Sequence, residues 1–172
     1  MEPTTPVDVR IRELFVAHGP ALLLYARQWL DRAAAQDVVQ DVFVRLIAGG
    51  RLPAEPRTWL FRCVRNAAIS ACRSQGRRGR REQRAGRAAA AAGGWFVPRV
   101  DDRIDAEAAQ EALASLSPGQ REVVTLRIWS GLTLAQVAEV TGMPVSTVHD
   151  QYRAALKAVR ERLEQPCRNP PP

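Results

Sequence analysis

Cysteine is scarce in this 172-residue chain: Cys63, Cys72 and Cys167 are three in number, and no two form a CxxC pair. A disulfide framework is excluded as the organising principle, and so is a thiolate zinc site, whose ligands come in close pairs. Histidine is scarcer still. His18 and His149 stand far apart with no metal-type partner spacing, so neither a metal nor a cofactor is expected. No apolar run approaches the roughly 18–20 residues that a membrane span needs. The start, MEPTTPVDVRIRELF, lacks the basic-then-apolar layout of a secretory signal. A cytoplasmic protein with no membrane partner is the expectation.

Strand signals are missing too. No segment shows the strict apolar–polar alternation of a half-buried strand, so no glycine-rich phosphate loop can follow one. Ser146, His149 and Asp150 are near neighbours, but groups three and four apart on a helix lie alongside one another rather than converging. Catalysis is therefore not expected.

What the chain does have is apolar content, 46% of residues, and an uneven charge. The formal net charge is +7, yet residues 51–100 hold 12 basic and 2 acidic side chains while both flanking stretches are slightly acidic. A polyanion that touches the middle of the chain accounts for this distribution. Arginine supplies every basic residue except Lys157; with so much Ala, Gly and Pro, that reflects composition rather than guanidinium chemistry.

Apolar spacing reads as all-α, with two small helical domains joined by a flexible basic linker. Residues 8–75 form the first domain, in four helices. Ile11, Leu14 and Phe15 start the first, which closes near Gly19-Pro20. Ala21 to Leu30 is the second. Asp31 caps a third helix that buries Val38, Val39, Val42, Phe43 and Leu46 and ends at Gly49-Gly50. Pro56 suits the first turn of a fourth, which runs to about Ser74 with Trp59, Leu60, Cys63, Val64, Ala67, Ile69 and Ala71 on its apolar face. Cys63 and Cys72 read as small core residues of that helix.

Residues 76–103 are a low-complexity Arg/Ala/Gly segment. Its Trp95-Phe96-Val97 patch either docks on a neighbouring domain or binds a partner, and the sequence favours neither. Residues 104–165 form the second domain. A helix with Ala106, Ala109, Leu113 and Leu116 leads to Ser117-Pro118-Gly119-Gln120, a capping box with proline at the first helical position. The next helix buries Val123, Val124, Leu126 and Ile128 and stops at Gly131. Thr133-Leu134-Ala135-Gln136 is a second capping box, ahead of Val137, Ala138 and Val140, and Gly142 makes the turn. Pro144 to Arg162 then carries Val145, Val148, Tyr152, Leu156 and Val159 as its buried face.

A capped short helix, a glycine turn and a long helix opening on Ser and Thr have the form of a helix-turn-helix, whose second helix enters the major groove of DNA. Ser146 and Thr147 suit phosphate approach at the helix start. His149, Asp150, Gln151 and Arg153 lie off the apolar stripe and could reach base edges. The plainer alternative, solvated positions on a small helical domain, is weaker given the capped pattern. Asp150 sits awkwardly on such a surface, since a carboxylate repels the backbone unless it accepts from cytosine or orients Arg153. Arg57, Arg62, Arg65, Asn66 and Arg73 cluster on the fourth helix, with Arg51 in the loop before it. This basic run continues into the linker, which favours a nucleic-acid track over a merely solubilising face. Trp59 could stack on a base, though core packing is the better reading.

These residues resemble a known family. Asp37-Val38-Val39-Gln40-Asp41-Val42-Phe43 is similar to the D-hydrophobic-V-Q-acid-x-F motif of bacterial sigma factors. Trp59-Leu60-Phe61-Arg62-Cys63-Val64-Arg65-Asn66 resembles the W-L-x-x-I-A-x-N helix that comes after it. Two such domains and little else match the extracytoplasmic-function (ECF) group.

The resemblance implies that Asp37, Gln40 and Asp41 meet core RNA polymerase, with Phe43 in the core. Arg51, Arg57, Trp59, Arg62, Arg65, Asn66 and Arg73 would engage the −10 promoter element, and the loop at Gly49-Gly50-Arg51-Leu52 would capture an unstacked non-template base. Ser146, Thr147, His149, Asp150, Gln151 and Arg153 would engage the −35 element. Promoter DNA and core polymerase are the implied partners, with an anti-sigma factor as a further one. Two departures stand out. Ser70 occupies a usually acidic position, and Thr147-Val148-His149-Asp150-Gln151 replaces the common T-V-K-S-R, which alters the expected −35 contacts. A stand-alone helix-turn-helix regulator, or a sigma-like interaction protein with weakened −35 binding, are the competing readings.

Overall fold

The computed structural model describes residues 6–82 and 112–164, with side chains for 7–74 and 112–162. The chain divides into two compact units. Both are helical, with no strand among the described residues.

Among its described residues the N-terminal unit has three helices where four were expected. α1 (Pro6–Ala26) runs straight through Pro20. A proline inside a helix removes one hydrogen-bond rung, and its ring crowds the Cβ of the residue before it. That residue is Gly19, which has no Cβ to crowd, so the helix continues. A turn over 27–30 leads to α2 (Arg32–Ala48), capped by Asp31, whose carboxylate accepts from the Ala34 N–H at 2.9 Å. Gly50, with φ of 64°, turns the chain away at its end. α3 (Pro56–Glu82) starts on its proline but passes Ser74 by eight residues. Extending an existing helix needs no new nucleus, and Arg, Gln and Glu extend it readily, so residues 76–82 of the basic segment are helical.

These three helices enclose a core built on Leu22, Tyr25, Val42, Leu60, Phe61 and Val64, all essentially fully buried. The Tyr25 ring meets Phe61 and Trp29 edge-on, with centroids 5.7 Å and 5.2 Å apart. Phe15 departs from its expected core place. It is 48% exposed and lies at the rim, its ring set edge-on against buried Phe43 at 5.0 Å. The cysteines also differ from expectation: Cys63 is half-buried and Cys72 exposed. The rest of the basic segment, including Trp95-Phe96-Val97, lies outside the described residues, as do Ala106, Ala109 and Cys167.

Among the described residues, the C-terminal unit has helical residues at 112–115, then α4 (Pro118–Val124), α5 (Leu134–Thr141) and α6 (Val145–Glu164). Both expected capping boxes are present, Ser117 with Gln120 and Thr133 with Gln136. Arg121 closes the preceding turn: its guanidinium donates to the carbonyls of Leu113, Ala114 and Leu116 at 2.8–3.0 Å. Gly131 and Gly142 hold φ of 60° and 73°, the left-handed stops that their positions require.

α4 does not continue as α-helix. It loosens into a π-helical segment, Thr125–Trp129. A π turn carries an extra residue, which rotates the side chains beyond it by about 100°. Ile128, expected inside, is consequently 52% exposed, and Trp129 packs on the core instead. That core joins Leu116, Val124 and Ala155, with Leu113, Tyr152, Ala158 and Val159 against them. On α6 the inward positions are Val148 and Ala155, while Leu156 and Val145 are 42% and 52% exposed. Helical period explains the correction: seven residues from Val148 return to within about 20° of it, whereas eight overshoot by about 80°.

Candidate polymerase and nucleic-acid interface

Three helix surfaces gather the residues singled out from the sequence. On α2 the buried side is Val38, Val39, Val42, Phe43 and Leu46. Asp37, Gln40 and Asp41 are all exposed on the opposite side, together with Val44, Ile47 and Ala48. Between residues 37 and 41 this outward ridge carries two carboxylates and no cation. Its C-terminal half is more apolar, and Val44 and Ile47 are an extension that sequence reasoning missed. Their exposure could not be told from their hydrophobicity, only from phase against the buried stripe.

On α3, burial of Thr58, Leu60, Phe61, Val64 and Ala68 leaves Arg62, Asn66, Ser70 and Arg73 exposed at intervals of four, four and three. That spacing lines one face. Arg65, Asn66, Ile69, Ser70 and Arg73 border a shallow cavity of about 330 Å³. Half-buried Trp59 belongs to a neighbouring feature. With Arg45, Gly49, Arg51 and Leu52 it borders an open cavity of about 370 Å³ where the loop leaves α2. Arg57 does not join either group. It is half-buried one turn before Phe61, on the inward side of α3, and its charge reaches His18. Burial first, and Arg57 second, hold the His18 imidazole below its ordinary value. Burial pushes the Cys63 thiol up, against the pull of Arg62 and Arg45, which leaves it protonated and unreactive at neutral pH.

On α6, Ser146, His149, Asp150 and Arg153 are exposed and Thr147 is half-buried. Gln151 is turned aside. Its amide lies over the backbone of Gly119 at the start of α4, where a Cβ would come within 3.8 Å of it. The helix-turn-helix geometry is otherwise as expected, with buried Val137 and Val140 on α5 and the Gly142 turn leading into α6.

No helix among the described residues is long and apolar enough to cross a membrane. Residues 14–78 match the family described as Sigma-70 region 2, and residues 106–159 match Sigma-70, region 4. The chain is 30% identical over 162 residues to the ECF RNA polymerase sigma factor SigL of Mycobacterium tuberculosis, covering 90% of this chain and 89% of that one. Among solved structures it resembles the sigma factor RpoE of Bartonella quintana in complex with the anti-sigma factor NepR. The TM-score is 0.72 at 25% identity, over 93% of this chain and 99% of that one. CnrH in complex with the cytosolic domain of CnrY matches with a TM-score of 0.59 at 25% identity, over 91% and 88% of the two chains. A region 2 match and full-length likeness to sigma factors set aside a stand-alone regulator. The chain belongs to the ECF sigma factors, a family that directs transcription initiation and is not a class of enzymes.

Proposed function

We propose that this sigma factor works by mounting two DNA-binding surfaces on core RNA polymerase. The α2 ridge, with Asp37, Gln40 and Asp41, meets a basic surface of the polymerase. The α3 ridge of Arg62, Arg65, Asn66 and Arg73 tracks the phosphates of the −10 element. The cavity beside Arg51 and Trp59 receives one unstacked base, an open space of the size that small ligands occupy. The α6 ridge lies in the major groove of the −35 element. Residues 8–75 and 104–165 act as the two domains. The basic segment 76–103 joins them and adds non-specific attraction for DNA. Arg57 supports α3 from its inward side rather than touching DNA.

The division of charge on the N-terminal unit carries this reading. One helix presents carboxylates with no cation between them, and another presents arginines on a single face. A DNA-only protein has no use for the acidic ridge, which would repel phosphate. Base extrusion costs a few kcal/mol, and contacts supplied by the polymerase offset it, so promoter binding belongs to the complex rather than to the free chain. Because the sigma factor RpoE, which this chain resembles, is seen with the anti-sigma factor NepR, an anti-sigma partner is the natural means of restraint. The working site is the cytoplasm, with the polymerase.

Asp37→Arg is the deciding variant. It reverses charge on the α2 ridge at an exposed position, so the helix content is expected to stay unchanged while co-purification with core polymerase and run-off transcription are lost. Retained polymerase binding by this variant overturns the assignment of α2. A wild-type chain that binds core enzyme but starts no transcript restores the interaction-protein alternative.

A further inference from the structure

α6 advances about 100° per residue, so its outward direction can be set from Val148, which is fully buried. Ser146, Asp150 and Lys157 all fall within about 20° of the direction opposite Val148, and Arg153 within about 40°. Gln151 falls about 60° from Val148, which agrees with its position over Gly119. Asp150 is therefore at the centre of the presented ridge, and the amide expected to read a base is turned away.

A carboxylate in that position has two ways to be tolerated near DNA. It can be neutralised by a neighbouring cation, or it can meet a hydrogen-bond donor on a base. The first is not used here. Among the described residues Asp150 makes no ion pair and no side-chain hydrogen bond, and Arg153, at i+3, makes no ion pair either. An ion pair on this helix joins Lys157 to Glu161, at 3.8 Å.

The second way restricts the base. In the major groove guanine shows two acceptors, thymine an acceptor and a methyl, and adenine a donor flanked by the N7 acceptor; cytosine alone offers an amino donor with no acceptor of its own. We propose that Asp150 selects cytosine at one position of the −35 element. This rests on the proposed function, in which α6 faces duplex DNA.

The test uses the full chain with core polymerase, in run-off transcription from a promoter library with each −35 position varied in turn. Wild type is expected to favour cytosine at one position by on the order of ten- to a hundredfold over guanine, the discrimination a single well-made base contact provides. Asp150→Asn is expected to move that preference to adenine, whose edge an amide matches. Asp150→Ala is expected to erase it while preferences at the other positions persist. If Asp150→Ala raises output equally on every template, or leaves all preferences as they were, the inference is overturned and the placement of α6 survives. If wild type ignores every −35 position, that placement fails first and the inference falls with it.

Discussion

The N-terminal unit is made of helices of 21, 17 and 27 residues; in the C-terminal unit α4 and α5 have 7 and 8. Every helix leaves about four N–H and four C=O groups without internal partners. In a long helix those are a minority, and a continuous apolar stripe suffices to hold it. In a helix of two turns they are most of the backbone, so side chains must complete the hydrogen bonding. That is what the C-terminal unit shows: two capping boxes, two left-handed glycines and an arginine that caps a turn from outside. The N-terminal unit instead relies on interlocked rings at Tyr25, Trp29 and Phe61. One unit is stabilised chiefly by packing, the other to a larger degree by its ends.

Four measurements bear on that contrast. Phe61→Ala is expected to cost about 3–5 kcal/mol, read as lost amide-exchange protection across α1–α3 with the C-terminal unit unaffected. Loss of protection in both units together would mean that the contrast is false. Arg121→Ala is expected to cost about 2 kcal/mol, since carbonyls that accept from a charged donor lose their partners. The loss should be confined to α4 and the turn before it. Thr133→Ala removes one cap and is expected to cost about 1 kcal/mol, visible as faster exchange at the start of α5. A change near zero would shift credit from caps to packing.

The smallest effect concerns His18. Its folded value is lowered, so the unfolded chain holds the proton at higher pH than the folded one. Its contribution is then complete above the ordinary value of about 6.5 and is lost as pH falls through the lowered one. His18→Gln is expected to flatten the pH dependence of the urea midpoint in that window. An unchanged slope would mean that His18 plays no part in it.

The second unit was the more legible of the two. Ser117, Gln120, Thr133, Gln136 and Gly142 act within one turn of their own positions, so local chemistry marks their helix boundaries directly. Gly19-Pro20 misled for the converse reason. A breaker signal competes with packing of Ile11, Leu22 and Tyr25 on one continuous helix, and the packing prevails. The candidate surfaces were also largely readable. Asp37, Gln40 and Asp41 share a face, as do Arg62, Asn66 and Arg73, because their spacing follows the helical period. Arg57 and Gln151 were not separable from their neighbours in this way, as their placement depends on α1 and α4 respectively.

Composition, period and end-capping residues thus settle that the chain is helical, where the short helices begin, and which family its motifs evoke, because each of these depends on residues within a few positions of one another. Contact between distant segments settles the rest. The π-helical segment that expels Ile128, the choice of Ala155 over Leu156 for the core, and the turning of Gln151 onto Gly119 each depend on how a helix is rotated against its neighbours. Rotation is fixed by close packing across the unit, and no local run of side chains encodes it.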